Sequence, residues 1–344
     1  MSYYFIRFSD VFRTGLWKEL STEDPSLQEL SSLLPEYCLK SRADSTQRKY
    51  RYAFDNFCKW CSCHNITPLP ASEYNVSLYL IYLSKKHNSS AKVDEAFYAI
   101  NWSHRLAGLP SPCKTDLCNL VKEGANRQIG HYIANKKEPI TSTILHKVVL
   151  KFGSQGSTLY DIRTCCMCLL SYAGFLRFSE LVNLKKSDIE IYPTHVSLFL
   201  EKSKTDKLRE GTHVLIARTN TTTCPVSMLE RYLQLACITE ASHFIFRSLT
   251  FCKNSNVYKL KGKKSLSYTR AREVLLETLE SVGLDKSKFG LHSLRSGGAT
   301  AAANAGVDDR LFKKHGRWSS DTAKDGYVHE NITHKLSVSK KLGI

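Results

Sequence analysis

The chain has 344 residues, 42% of them hydrophobic, with 49 Lys and Arg against 32 Asp and Glu, a formal net charge of +17. At roughly 150 residues per domain this length suits two domains, and the apolar fraction is ample for ordinary cores, which excludes disorder as the starting expectation. The excess of cations points to a polyanionic partner, nucleic acid first, because Lys and Arg gain by releasing counterions condensed on phosphates. A merely soluble basic protein is the plainer reading of the same charge. Met1 to Leu20 carries no apolar leader. No run of about 18 uncharged apolar residues follows, so the expectation is an intracellular chain with no membrane partner.

Residues 1–40 read as an N-terminal arm with short helical stretches around Leu27 to Leu34. From Ser45 or Thr46, either a good helix cap, the pattern turns strongly helical. Tyr50, Phe54, Phe57 and Cys61 recur at three- and four-residue steps and form a buried stripe. Cys58, Cys61, Cys63 and His64 hold half the spacing of a zinc site, but no second pair follows, so packed reduced thiols are the better reading. Three further helices are expected over Tyr74 to Leu83, Val93 to Ala107 and Leu117 to Ile129, after a break at Pro68 and Pro70. Residues 41–134 thus make an all-helical bundle, and Arg48, Lys49, Arg51, Lys85, Lys86, Arg105 and Lys122 on its polar faces are candidate DNA contacts.

Asn135-Lys136-Lys137-Glu138-Pro139 is the clearest linker. Beyond it helices are expected over Ser142 to Phe152 and Asp161 to Ala173, the second ending at Gly174. Val196 to Leu200 and His213 to Ile216 read as paired strands around a charged turn, Lys202 to Gly211. Helices resume at Pro225 to Ala236, Ser267 to Val282, His292 to Ala305 and from Ser320. Lys253, Lys259, Lys261, Lys263 and Lys264 form a cationic loop between them, suited to phosphates or simply to solvent. The expected class is mainly α, a helical bundle followed by an α-rich domain, 138–344, with a small antiparallel sheet.

Cutting a phosphodiester without metal needs a nucleophile, cations on the nonbridging oxygens, and proton carriers for the entering and leaving oxygens. Guanidinium forks fit the charge spread over equatorial phosphate oxygens. The second domain offers Arg177 followed by Glu180, Lys204 in the turn, His292 and Arg295 in Leu291-His292-Ser293-Leu294-Arg295, and Trp318 with Tyr327 nearer the end. The ordered set resembles the motifs of the tyrosine recombinases, the family of phage integrases and chromosome-dimer resolvases. That order is an arginine with an acid three residues on, a hairpin lysine, a His-x-x-Arg opening a helix, a His or Trp, and a tyrosine nine residues later. The stretch Gly316-Arg317-Trp318 to Lys324-Asp325-Gly326-Tyr327 further resembles recombinases of eukaryotic mobile elements, the DIRS-like and Crypton-like groups.

The resemblance implies a helical, SAM-like core-binding domain and a catalytic domain of the DNA breaking-rejoining fold. It implies that Tyr327 attacks the scissile phosphate to leave a 3′-phosphotyrosyl link, that Arg177 and Arg295 clamp the nonbridging oxygens, and that Lys204 protonates the leaving 5′-oxygen. His292 would move a proton with the tyrosine, Trp318 would donate its indole N–H, and Glu180 would orient the site. Many members carry a histidine where Trp318 stands, so His315 is a second candidate for that role, while Lys202 is a further candidate DNA contact. The implied partner is double-stranded DNA held by a tetramer, with no cofactor and no metal, and the implied location is the nucleus. In the family the tail, here with Leu336, Val338 and Leu342, often docks into a neighbouring subunit. Two other readings stand beside site-specific recombination: a recombinase-derived DNA-binding protein without activity, and a type IB topoisomerase-like enzyme.

Overall fold

A computed structural model describes residues 7–130, 136–201, 210–329, 335–336 and 339–343. The chain divides into two compact units, Met1–Ala134 and Asn135–Ile344.

The first unit is built from α1 (Pro25–Lys40), α2 (Asp44–Cys63), α3 (Glu73–His87), α4 (Ser90–Leu106) and α5 (Asp116–Ile129). Ser72 caps α3 by accepting from the Asn75 N–H, and Asn88 ends it in the left-handed region. The α2 stripe does what its spacing predicts: Phe54, Phe57, Cys58 and Cys61 are buried with Tyr79, Leu80, Ile100 and Trp102 from α3 and α4. Burial pushes the Cys61 thiol up to about 12 and Cys58 higher still, so both are protonated as packed.

Two expectations for the N-terminal segment need correction. Residues of the 8–17 segment pack on the first core: Phe8 and Val11 are buried in it, the Phe8 ring stacks on Trp102 at 5.3 Å, and the Trp17 indole donates to the Leu106 carbonyl at 2.5 Å. Pro25–Lys40 is one continuous 16-residue helix, begun by Asp24 capping the Ser26 N–H, rather than short stretches.

The second unit adds α6 (Ser142–Phe152), α7 (Leu159–Ala173), α8 (Phe178–Val182), α9 (Pro225–Ala236), α10 (Tyr268–Ser281), α11 (His292–Asn304), α12 (Asp309–Gly316) and α13 (Asp321–Asp325). Helix α7 is apolar nearly all round and is buried from Ile162 to Ser171, so it forms the axis on which the others pack. Strands β1 (Ile189–Ile191), β2 (His195–Leu200) and β3 (Thr212–Ala217) form an antiparallel sheet with Leu200 opposite Thr212.

A second hairpin pairs β4 (Arg247–Cys252) with β5 (Val257–Ser265) where the sequence suggested a cationic loop. The strand is half hidden by its charge. Tyr258 and Leu260 alternate with exposed Val257, Lys259 and Lys261, a period of two in which lysines take the solvent positions. The mainly helical class with small antiparallel sheets is therefore the architecture observed.

Candidate active site

The site grows from the turn that leaves α7. Phe175 has φ 45°, a left-handed conformation that costs a bulky residue energy and swings its carbonyl out of the helical direction. Two guanidinium groups meet that carbonyl: Arg295 donates to it from α11, and Arg317 donates at 2.8 Å from the end of α12. These charge-assisted bonds offset the strain.

Arg177 and Glu180 come next, and their spacing has a local cause. The Glu180 carboxylate reaches back to accept the Arg177 backbone N–H at 2.8 Å, which caps α8. Its other oxygen accepts from the Arg177 guanidinium at 2.6 Å. Arg317 donates to Glu180 Oε2 at 2.9 Å, and Arg295 Nη1 stands 3.8 Å from the same oxygen. Three guanidiniums thus converge on one carboxylate that is 1% exposed. Burial alone would raise the Glu180 carboxyl, but Arg317 and then Arg177 outweigh it and hold it below the ordinary value. Arg295 is 0% exposed. Burial, with the repulsion of Arg177 and Arg317, lowers its guanidinium to about 10. It remains a cation at neutral pH, so the cluster carries an excess of positive charge that an entering anion would balance.

Trp318 and Tyr327 lie against Arg295, with each ring centroid 4.9 Å from the guanidinium carbon and 5.6 Å from the other. Trp318 is buried, and its indole N–H has no hydrogen-bond partner among the described residues. Gly316 makes room for it: a Cβ there would stand 1.8 Å from the indole ring. Gly297 and Gly298 play the same part on α11, where a Cβ would meet the Ile140 carbonyl at 1.9 Å or the Tyr172 carbonyl at 2.1 Å. The approach at Gly298 seats α11, and hence Arg295, directly against α7, and that at Gly297 seats it against the segment at Ile140.

His292 opens α11 and is exposed, with its ring edge-on to Tyr327 at 6.5 Å. Tyr327 is half-buried, and Thr300 Oγ1 donates to its carbonyl at 3.4 Å while accepting the His329 N–H at 3.0 Å. His315 lies apart from this contact set. Its Nε2 donates to the Ala173 carbonyl at 2.8 Å, and burial keeps the ring neutral by lowering its pKa. That bond makes it a brace of the α7 turn.

The structure therefore brings Arg177, Glu180, Arg295, Trp318 and Tyr327 together, with His292 at the rim. Lys204 and Lys202 lie outside the described residues, as does Val338. In the first unit Arg48, Lys49, Arg51, Lys85, Lys86 and Arg105 are exposed, while Lys122 is half-buried over the Phe97 ring. Lys59, Lys86 and Lys92 also border a groove of about 560 Å³ with Trp60, Tyr79 and Tyr82 in its wall. The residue that the sequence reading passed over is Arg317, although its place between Gly316 and Trp318 was a signal.

The phage integrase family matches residues 146–334, more than half of the chain and the whole of this constellation. The chain belongs to that family. It is a DNA strand-transferring enzyme of the tyrosine recombinase class. An integrase/recombinase xerD homolog of Selenomonas ruminantium is 28% identical over 300 residues, spanning 86% of this chain and 84% of that one. The recombinase cre of Escherichia phage P1 is 22% identical over 288 residues, 78% of this chain and 79% of its own. Among solved structures, XerH recombinase bound to a palindromic difH substrate superposes with a TM-score of 0.62 at 15% identity, covering 98% of this chain and 94% of that one. A lambda integrase dimer bound to a core site gives 0.52 at 14% identity over 90% of this chain and 81% of its own. At such identities the likeness speaks to the fold. No helix among the described residues is long and apolar enough to cross a membrane.

Proposed function

We propose that this integrase cuts and rejoins double-stranded DNA at a specific site, with Tyr327 as nucleophile. Tyr327 Oη attacks the scissile phosphorus, the bond to the 5′-oxygen breaks, and a 3′-phosphotyrosyl link keeps the bond energy for rejoining. Arg177 and Arg295 hold the nonbridging oxygens, Trp318 donates its unpartnered N–H to one of them, and His292 takes the tyrosine proton. Lys204 returns a proton to the leaving oxygen. The observation that carries this reading is the buried excess of positive charge in contact with Tyr327, three guanidiniums against one carboxylate. Guanidinium donors placed for developing phosphate charge stabilise the transition state in a water-poor site.

Arg295 is covered by Trp318 and Tyr327. The tyrosine ring must therefore swing aside as DNA enters, and the phosphate then takes its place beside the guanidinium. The basic faces of the first unit and the β4–β5 lysines serve as the grip on the duplex, 41–134 as the core-binding domain and 138–344 as the catalytic one. Four protomers would bring two duplexes together. The Gly316-Arg317-Trp318 sequence supports an origin in a eukaryotic mobile element and hence a nuclear location.

The test is covalent trapping on nicked suicide duplexes carrying candidate element termini, with chelator present. Wild-type protein gives a denaturation-resistant adduct, and Tyr327→Phe gives none. Specific DNA binding without any adduct would overturn the catalytic reading in favour of a binding protein. Relaxation of plain supercoiled DNA without a target sequence would favour a topoisomerase.

A further inference from the structure

Arg317 stands where a side chain is a handicap. It ends α12 with φ 55° and ψ 42°, the left-handed conformation for which glycine is the ordinary choice at a helix C-terminus. An arginine there strains the backbone, and the strain is offset by hydrogen bonds from its two terminal nitrogens. Its guanidinium donates to the carbonyls of Gly174 at 3.1 Å, Phe175 at 2.8 Å and His315 at 2.7 Å, and to Glu180 Oε2 at 2.9 Å. The side chain is 6% exposed. Arg295 also bonds to the Phe175 carbonyl and to the Gly316 carbonyl, at 2.7 Å for the latter, but of the two guanidiniums Arg317 is the one within hydrogen-bonding distance of Glu180.

The contest over Glu180 shows what this arrangement does. Arg317 holds Oε2 at 2.9 Å, and Arg295 waits 3.8 Å from the same atom. Without Arg317 the carboxylate is free to close on Arg295, and a carboxylate paired with Arg295 cancels the charge meant for phosphate. We infer that Arg317 is a positioning residue of the recombination site: it occupies Glu180 Oε2, the oxygen that the Arg177 guanidinium leaves free, and so keeps the charge of Arg295 from being cancelled before the scissile phosphate enters. This rests on the proposed function for the identity of the anion, but not for the charge arithmetic. Three arginines less one glutamate leave +2 at the cluster. Arg317→Gly leaves +1, and Arg317→Gly combined with Glu180→Gln returns it to +2.

That arithmetic gives a test that a merely structural role would fail. Glycine suits the left-handed position, so relief of backbone strain offsets part of the bonds lost in Arg317→Gly, and a cooperative unfolding transition of the second unit above the assay temperature checks that the variant is folded. On a nicked suicide duplex under single-turnover conditions, Arg317→Gly is expected to form adduct at least ten-fold more slowly at saturating protein, while half-saturation stays within about two-fold. Adding Glu180→Gln restores most of the rate. Inorganic phosphate, titrated calorimetrically into each protein at low salt, supplies a readout independent of cleavage. Its affinity should fall with Arg317→Gly and return in the double variant. An Arg317→Gly protein with wild-type rate and phosphate affinity overturns the inference, as does a double variant no better than the single. If wild type forms no adduct but phosphate binding follows the predicted pattern, the proposed reaction fails while the role of Arg317 stands.

Discussion

In the first unit no lysine, arginine, aspartate or glutamate is buried among the described residues, and its cations face solvent on α2, α3 and α4. In the second, Arg163, Glu180, Arg247, Arg295 and Lys324 are all buried, and only one of them is an acid. Buried charge is expensive unless balanced, because desolvation is repaid only by close partners. The first unit follows the ordinary rule and keeps its cations on the surface. The second breaks the rule at Arg295 and Arg317, beside Tyr327, an imbalance that suits the anionic ligand proposed for the site. The contrast separates gripping a duplex, which surface charge can do, from stabilising charge on one phosphate, which needs cations fixed out of water.

The sharpest way to break this comparison is to remove the single acid. Glu180→Ala leaves three guanidiniums unopposed and deprives α8 of its cap. The loss of one partner from a buried ionic cluster costs about 3–5 kcal/mol. In a unit of this size that lowers the unfolding temperature by roughly 10 °C. Because Trp17, Trp60 and Trp102 lie in the first unit and Trp318 in the second, calorimetry alongside tryptophan fluorescence assigns the transition that moves. An unchanged second-unit transition would mean that Glu180 does not hold the cluster.

What the sequence disclosed and what it hid divide along the same line. Arg177, Glu180, His292, Arg295, Trp318 and Tyr327 are spaced at fixed short intervals on helices and their ends, and such spacing is visible in one dimension. So was the stripe of α2 and the paired β2 and β3. Arg317 was not, because its partners Gly174, Phe175 and Glu180 lie about 140 residues earlier and its left-handed backbone turns the side chain where no periodicity predicts. The β4–β5 hairpin was masked by lysines at alternate positions, and α12 by its shortness, Asp309–Gly316. Phe8 and Val11 looked like part of an arm because two apolar residues in a short 3-10 turn carry no helical period, yet they close the first core.

A buried histidine of the first unit sharpens the contrast at mild acid pH. His104 is 0% exposed, its Nε2 accepts the Ala71 N–H at 2.9 Å, and its Nδ1 donates to the Ile100 carbonyl at 2.9 Å. The ring is therefore neutral, and burial lowers its pKa below the ordinary histidine value. The unfolded chain then binds more protons than the folded one as pH falls below about 6.5. Stability is full above that pH and declines below it, by up to about 1.4 kcal/mol per pH unit, until the folded ring itself titrates. In His104→Gln the first-unit transition should lose this dependence, while the second unit keeps its own, owed to His315 and His329, whose pKa values burial also lowers. Equal acid sensitivity in variant and wild type would remove His104 from the account.

The smallest effect concerns the surface of the first unit, and it tests whether that surface grips DNA at all. Arg48 and Lys49 are exposed on the outer face of α2, whereas Arg51 sits over the Phe8 ring at 5.2 Å and Lys86 over Tyr82 at 5.2 Å. The two untethered heads have more reach towards a phosphate than the two held on rings. Arg48→Gln and Lys49→Gln should each weaken binding to any duplex a few-fold and reduce the slope of log affinity against log salt by about 0.9. The same change at Arg51 or Lys86 should reduce it less. A slope unchanged by Arg48→Gln and Lys49→Gln would place the electrostatic grip elsewhere, with the lysines of β5 next to be tested. Then the division between a gripping unit and a cutting unit would fail, because both tasks would fall to the second.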